Sequence, residues 1–386
     1  MLTQPDAPIG ASVDSMRLKD LILSSLVTQG FRLQSGQILP PEELGKDIIR
    51  DLHKVAVCHR IERCKETLAA RETRLIERLA DGGEVAPGLI TPRLVLVQPG
   101  SEDELLFRYV RLHWSIPISA GYGRRLRFLV RDDQNGKLIG ILGLGDPVYS
   151  LAARDAWIGW SKEARKEHLH EVMDAFVLGA VPPYSFLLCG KLVAMLAASN
   201  EVRDSFMRKY SGRQSLIRGR TLNGQLAMLT TTSALGRSSI YNRIKYRDRL
   251  MYRSVGFTRG SGDFHFANGL YSQIFDYASN HCSPTAKHER WGTGFRSRRE
   301  IVKKCLANMG LSAQWLYHGI QREVFVVPLA QNAQQVLRGE EEDLVFFDQA
   351  ADDICAWFRD RWLLPRADRD LRYLGFRPSS YRLWNV

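Results

Sequence analysis

The chain has 386 residues, 45% of them apolar and 25% charged, enough for a sizeable core beneath a charged surface. No apolar run approaches the ~20 residues a spanning helix needs, so no membrane partner is expected. The formal charge is +12, and residues 201–310 alone hold twenty Lys/Arg against seven Asp/Glu, a local +13 that exceeds the total. A localised excess of this kind is the electrostatic footprint of a polyanion-binding face, with nucleic acid the commonest partner and a plain solvated surface the competing reading.

The opening MLTQPDAPIGASVDSM lacks a basic stretch followed by an apolar one, so no signal peptide is expected. Cysteines 58, 64, 189, 282, 305 and 355 form no C-x-x-C pair and read as reduced thiols of a cytoplasmic protein. From Val13 to about Ala80 apolar residues recur at threes, fours and sevens, with Gly30 as a stop and Pro40-Pro41-Glu42-Glu43 as a start. This predicts a helical N-terminal unit over 1–84. Arg93–Val97 then reads as a strand, and Ser101-x-x-Glu104 as the capping box of a helix running to about His113.

Two apolar runs flank Asn135-Gly136, predicting a hairpin over 126–145 with a type I′ turn. The second run, KLIGILGLG, is nearly all apolar and so is expected to be buried on both faces. Its glycines leave room for a bulge, a packed ring or a ligand. Trp157–Trp160 reads as another short strand, 161–176 as a helix with an apolar stripe, and 225–232 as a buried strand. His168 and His170 alternate, which places them on different faces of that helix and argues against a metal pair. The pattern after residue 310 gives a strand at 322–327 and helices at 330–338 and 352–362.

The fold class is therefore α/β (α+β), a central mixed sheet with packed helices. A central domain over 90–280 lies between the N-terminal unit and a C-terminal α/β extension over 281–386. The order strand, helix, long hairpin is also loosely similar to the start of the GNAT acyltransferases, and YRSVGF to their aromatic-x-x-x-Gly-Phe signature. That superfamily binds the pyrophosphate of acetyl-CoA in a glycine loop ahead of a helix. No such loop lies between Trp160 and Arg208, so acetyl-CoA use is not expected and the cofactor is unknown.

The hairpin ending in GLGDP, then RDAWIGW, RKEHLHEVMDAFVL and YRSVGFTRG, resembles one bacterial family over about Ser115 to Phe266. It is the family that contains the A protein of the Druantia anti-phage system. The resemblance implies a role in defence beside other proteins of one operon, including a helicase-like protein, and implies no established catalytic mechanism. The chain has no P-loop, H-E-x-x-H or G-x-S-x-G, so such a motor lies elsewhere.

Two candidate sites follow. The basic one interleaves Arg237, Arg243, Lys245, Arg247 and Arg249 with Tyr241 and Tyr246, and adds Arg218, Arg220 and Arg259. Cations answer phosphates, and tyrosines can stack on unpaired bases or else anchor the segment to the core. The polar one gathers Asp146, Arg154 and Asp155 with Trp157 around one expected concave mouth, or else pairs Arg154 with Asp155 and buries the rings. Whether the chain is an enzyme stays open: a metal-dependent nuclease would need Asp146, Asp155, Glu171 and Asp174 clustered, and those four could equally cap helices and turns. No metal site is expected; Cys282 and His288 supply half of one at most.

Overall fold

The computed structural model describes residues 9–118, 123–214, 219, 221–285, 291–292 and 295–384, side chains of 9–13, 295 and 296 excepted. They divide into two units. The larger comprises residues 64–114, 118–258 and 323–386, and the smaller residues up to 63, 115–117 and 259–322.

The larger unit is built on a seven-stranded mixed sheet, β1 (Pro92–Leu96), β2 (Arg125–Asp132), β3 (Lys137–Gly145), β4 (Val172–Ala180), β5 (Met228–Thr232), β6 (Arg253–Phe257) and β7 (Glu323–Pro328). The order is β6-β7-β5-β4-β3-β2-β1, and every pair is antiparallel except β4 with β5. The α/β class, the hairpin and the strands near 93 and 228 are therefore as expected. The hairpin turn is not the two-residue form: it spans Asp133–Gly136, and Gly136 alone takes positive φ, at 71°. Asp132 is the reason. Its buried carboxylate accepts from Thr91 N at 2.9 Å, Gln134 N at 3.1 Å and Tyr184 Oη at 2.9 Å, while its carbonyl closes the turn on Gly136 N at 2.7 Å.

Eight of the nine residues of β3 are buried, as its apolar run predicts. The glycines of this strand serve packing. A Cβ on Gly143 would stand 2.5 Å from the Phe176 ring, and one on Gly140 2.4 Å from the Gly179 carbonyl. The register shifts between Gly143 and Leu144 and leaves Phe176 as the extra residue of β4. On one face, Leu126, Phe128, Leu142, Met173, Leu229 and Phe325 share a core with Leu192, Met195, Phe206 and Phe358 from the helices Cys189–Leu196, Asn200–Tyr210 and Ala351–Phe358. A smaller cluster of Ile158, Val172, Met228, Val326 and Leu337 covers part of the sheet elsewhere.

Two expected elements differ. Residues Ala152–Ile158 form a helix, not a strand near 156–160. Alternation of apolar and polar residues is not what decides this segment. The Asp155 carboxylate accepts from Leu151 N at 3.1 Å, as a first-turn carboxylate does, and Gly159 ends the helix at φ 80°. The helix expected over 161–176 stops at His168, and Val172 begins β4. Val172, Phe176 and Val177 suit a pleated surface as well as a helical stripe, and pairing with β3 and β5 resolves the ambiguity.

The smaller unit carries the helices Ile9–Thr28, Leu270–His281 and Phe295–Asn308, most of Lys46–Leu68, and a short hairpin of Arg32–Gln34 with Gln37–Leu39. Its interior contains three histidines around Phe264. The His53 ring lies 3.9 Å from it and the His318 ring 4.9 Å, and His265 bonds the Trp315 carbonyl at 2.8 Å. Burial drives these imidazoles below their usual 6.5, to about 3 for His53, 4 for His265 and 2 for His318.

Two measurements check this description. Gly143→Ala should cost about 1–3 kcal/mol in urea unfolding by crowding Phe176. Phe176→Leu in the same chain should recover part of that loss. The histidines should make the smaller unit acid-labile. A depressed folded pKa means that the unfolded chain binds the extra protons, so stability is whole above pH 6.5 and falls below it. The slope approaches roughly 1.4 kcal/mol per pH unit for each histidine until the folded pKa is neared. Hydrogen exchange of residues 259–322 between pH 7 and 5 reads this directly.

Candidate nucleic-acid interface

Between β5 and β6 the chain leaves the sheet for residues 233–252 and returns. This stretch contains one carboxylate, Asp248, against Arg237, Arg243, Lys245, Arg247 and Arg249. It is not a helix but a 3₁₀ turn at Tyr241–Arg243 followed by a two-residue ladder, Lys245–Tyr246 with Arg249–Leu250. Its apolar residues explain the path. Ile244, Tyr246, Met251 and Tyr252 are buried, and the Tyr252 hydroxyl donates to the Ala194 carbonyl at 2.6 Å. Glu323 ties down the start, its carboxylate accepting from Ser238 N and Ser254 Oγ, each at 2.8 Å.

With the apolar groups turned inward, Arg237, Arg243, Lys245 and Arg247 stand exposed. Arg247 sits at the tip with φ 51° and its guanidinium 5.2 Å from the Tyr246 ring. The tyrosines are packed. Tyr241 lies flat on buried Tyr252 at 4.9 Å and edge-on to Phe325 at 5.3 Å, and Tyr246 meets Trp357 edge-on at 6.1 Å. They anchor the loop, the competing reading of the sequence. Ser238 and Asn242 are likewise engaged within it, Ser238 Oγ accepting from Tyr241 N at 3.0 Å and Asn242 Nδ2 donating to the Ser238 carbonyl at 2.8 Å. Arg249 is half-buried over the Phe347 ring at 3.7 Å. Arg259 is exposed in the smaller unit, and Arg218 and Arg220 lie outside the described residues.

Two cations that the linear pattern missed join this surface. Lys191, on the helix Cys189–Leu196, holds its ammonium 5.0 Å above the Trp362 ring. Burial lowers its pKa, and the charges of Arg243 and Arg361 lower it further. The charges of residues 243 and 361 thus both bear on Lys191. No local signal could have paired them, since each lies in a different element.

The polar candidates are engaged in ion pairs. Asp146 accepts from Arg124 Nε at 2.7 Å and from its backbone N at 3.0 Å. A Cβ on Gly123, at φ 67°, would fall 1.9 Å from this carboxylate. Arg154 is fully buried, donating to Asp155 Oδ1 at 2.8 Å and to the carbonyls of Val148 at 3.0 Å and Tyr149 at 3.3 Å. Asp155 also accepts from Arg165 Nη1 at 2.9 Å. Buried Glu171 accepts from Asn223 Nδ2 at 2.7 Å and draws both His168, at 3.1 Å, and His170, at 3.7 Å. The two histidines thus converge where a continuous helix would have separated them. Asp174 accepts from Thr230 Oγ1 at 2.9 Å, and burial raises its pKa to about 6 against the pull of that bond and of Arg154. Of the four carboxylates a nuclease would gather, Asp146 pairs with Arg124 and Asp155 with Arg154 and Arg165, while Glu171 and Asp174 accept from Asn223 and Thr230. Among the described residues no group of three or more His, Cys, Asp or Glu is placed to hold a metal, and no helix is long and apolar enough to cross a membrane.

Comparison with known proteins settles the family. The model of the Druantia protein DruA family matches residues 43–339. This chain belongs to that family. It is 38% identical over 388 aligned residues to Druantia protein DruA of Escherichia coli strain UMEA 4076-1, covering 100% of this chain and 94% of the relative. The family resemblance read from RDAWIGW and its neighbours is therefore correct, and membership supports the coarser functional expectation, a component of Druantia anti-phage defence. No solved structure matches the chain.

The division into inward anchors and outward cations has a direct check. Tyr252→Ala should cost about 3–5 kcal/mol in urea unfolding, as loss of a fully buried ring does. Arg243→Ala and Lys245→Ala should each stay within about 0.5 kcal/mol of the parent.

Proposed function

We propose that this chain serves anti-phage defence by holding nucleic acid on the basic surface formed by Lys191, Arg237, Arg243, Lys245, Arg247 and Arg361. The observation that carries the reading is one loop on which Arg237, Arg243, Lys245 and Arg247 all stand exposed with a single carboxylate, Asp248, among them. Exposed cations on a loop pinned by buried tyrosines suit a phosphate backbone, because the donors are held in place before the strand arrives. Contacts of this type go to phosphates and carry little sequence preference, which suits a protein that must meet unrelated phages. Partner proteins of the same operon, a helicase-like motor among them, would supply any ATP-driven step, since this chain has no P-loop.

Filter binding across a salt series tests the proposal. With four to six cations engaged, log affinity against log salt should fall with a slope of roughly −3 to −5. Arg243→Ala, Lys245→Ala and Arg247→Ala combined should flatten it by about two to three. Absence of any complex at low salt with both duplex and single strands would end the reading, and capture of an acidic protein through the same residues would replace it.

A further inference from the structure

On the larger unit the start of β6 and the end of β7 border a small cleft of about 40 Å³. On the scale where one water takes about 10–15 Å³, that is room for a tetrahedral oxyanion but not for a sugar or a base. Among the described residues its only charged lining is Arg249 and Arg253, and no carboxylate faces it. Neutral groups set Arg249 in place: its guanidinium lies over the Phe347 ring at 3.7 Å, and its Nη2 donates to Gln349 Oε1. Gln349 is itself buried and fixed, its Nε2 donating to the Ala198 carbonyl at 3.1 Å. An amide orients a cation without neutralising it. Asp348, between the two residues that hold Arg249, accepts instead from Asn200 Nδ2 at 2.7 Å. Arg253 opens β6 and stands exposed, with no hydrogen-bond or ion-pair partner among the described residues. Its charge adds to burial in lowering the pKa of Arg249. The Gln334 amide of the same lining already donates to the Trp157 carbonyl at 2.7 Å, so it is the guanidinium groups that have donors to offer. Two such groups on one small cleft with no counter-charge are matched by a phosphate, whose oxygens accept from a planar fork two at a time.

We propose that Arg249 and Arg253 form a binding site for one phosphate group at the mouth of this cleft. The group is free inorganic phosphate or one phosphodiester of a nucleic-acid backbone, which present the same tetrahedral oxyanion. The second source rests on the nucleic-acid reading given above and adds a contact to it; the first does not depend on that reading.

Isothermal titration of the full chain with inorganic phosphate, and filter binding of a duplex with 5′-hydroxyl ends across a salt series, test it. Arg253 is exposed, so its variants should keep the parent's melting temperature. Arg253→Gln should weaken the bound phosphate at least about tenfold, the loss expected for a charge-assisted hydrogen bond. Arg253→Lys should lose nearly as much, because it keeps the charge and gives up the fork. Phosphate binding with a duplex slope that Arg253→Gln leaves unchanged assigns the site to the free ion. A duplex slope flattened by about 0.9 in Arg253→Gln, with affinity also falling in Arg253→Lys, assigns it to a backbone phosphate. No heat from phosphate, together with duplex binding untouched by Arg253→Gln, overturns the proposal and leaves the basic surface standing. Parity of Arg253→Lys with the parent in both assays overturns it too, since charge alone would then suffice. Phosphate binding with no duplex complex sustains this site and ends the nucleic-acid reading, and the absence of both ends the two together.

Discussion

Burial of β3 on both faces is the constraint on which the larger unit depends. A strand in that position must present either apolar groups or nothing at all, and Lys137–Gly145 does both. Its glycines admit the Phe176 ring and the Gly179 backbone at distances no side chain would permit. The shift beside Gly143 sets where β4 runs, and β4 in turn pairs in parallel with β5. The long excursion between β5 and β6 then follows as a matter of topology. The candidate interface is that excursion.

The larger unit disposes of its charges in two ways. Where a cation is covered, it is answered individually: Arg154 by Asp155 and two carbonyls, Arg124 by Asp146 and the carbonyl of His170. A covered ion left unpaired would cost several kcal/mol, so these pairs are conditions of folding more than sources of stability. On the excursion Arg237, Arg243, Lys245 and Arg247 stand exposed to water, where a charge without an ion-pair partner costs the folded protein little. The same residue types thus do different work in the two places.

Much of the fold is legible in the residues because it rests on local chemistry. Asp132 to Gly136 marks a turn, KLIGILGLG a strand covered on both faces, and Ser101-x-x-Glu104 a helix start whose Oγ does accept from Glu104 N at 3.3 Å. The misread segments, 152–158 and 161–176, are those where apolar spacing fits two periods and only the neighbours choose. The same holds at the sites. The excess of cations between 201 and 310 is visible by counting, whereas the inward turn of Tyr241 and Tyr246 depends on Tyr252, Phe325 and Trp357, which periodicity does not bring together.

What the sequence by itself determined is the α/β class, the hairpin at its centre, the place of the positive charge and, through RDAWIGW and its companions, the family. These are properties of short stretches and of composition, and they need no knowledge of what folds against them. Only the tertiary structure decided that Lys191 lies over Trp362, that Asp146 answers Arg124 while Asp155 answers Arg154, and that Glu171 draws two histidines of opposite expected faces. Each of those depends on a strand pairing or a helix boundary set by burial elsewhere in the chain. A charge finds its partner through the shape of the core, and that shape is a sum over distant residues that no local pattern contains.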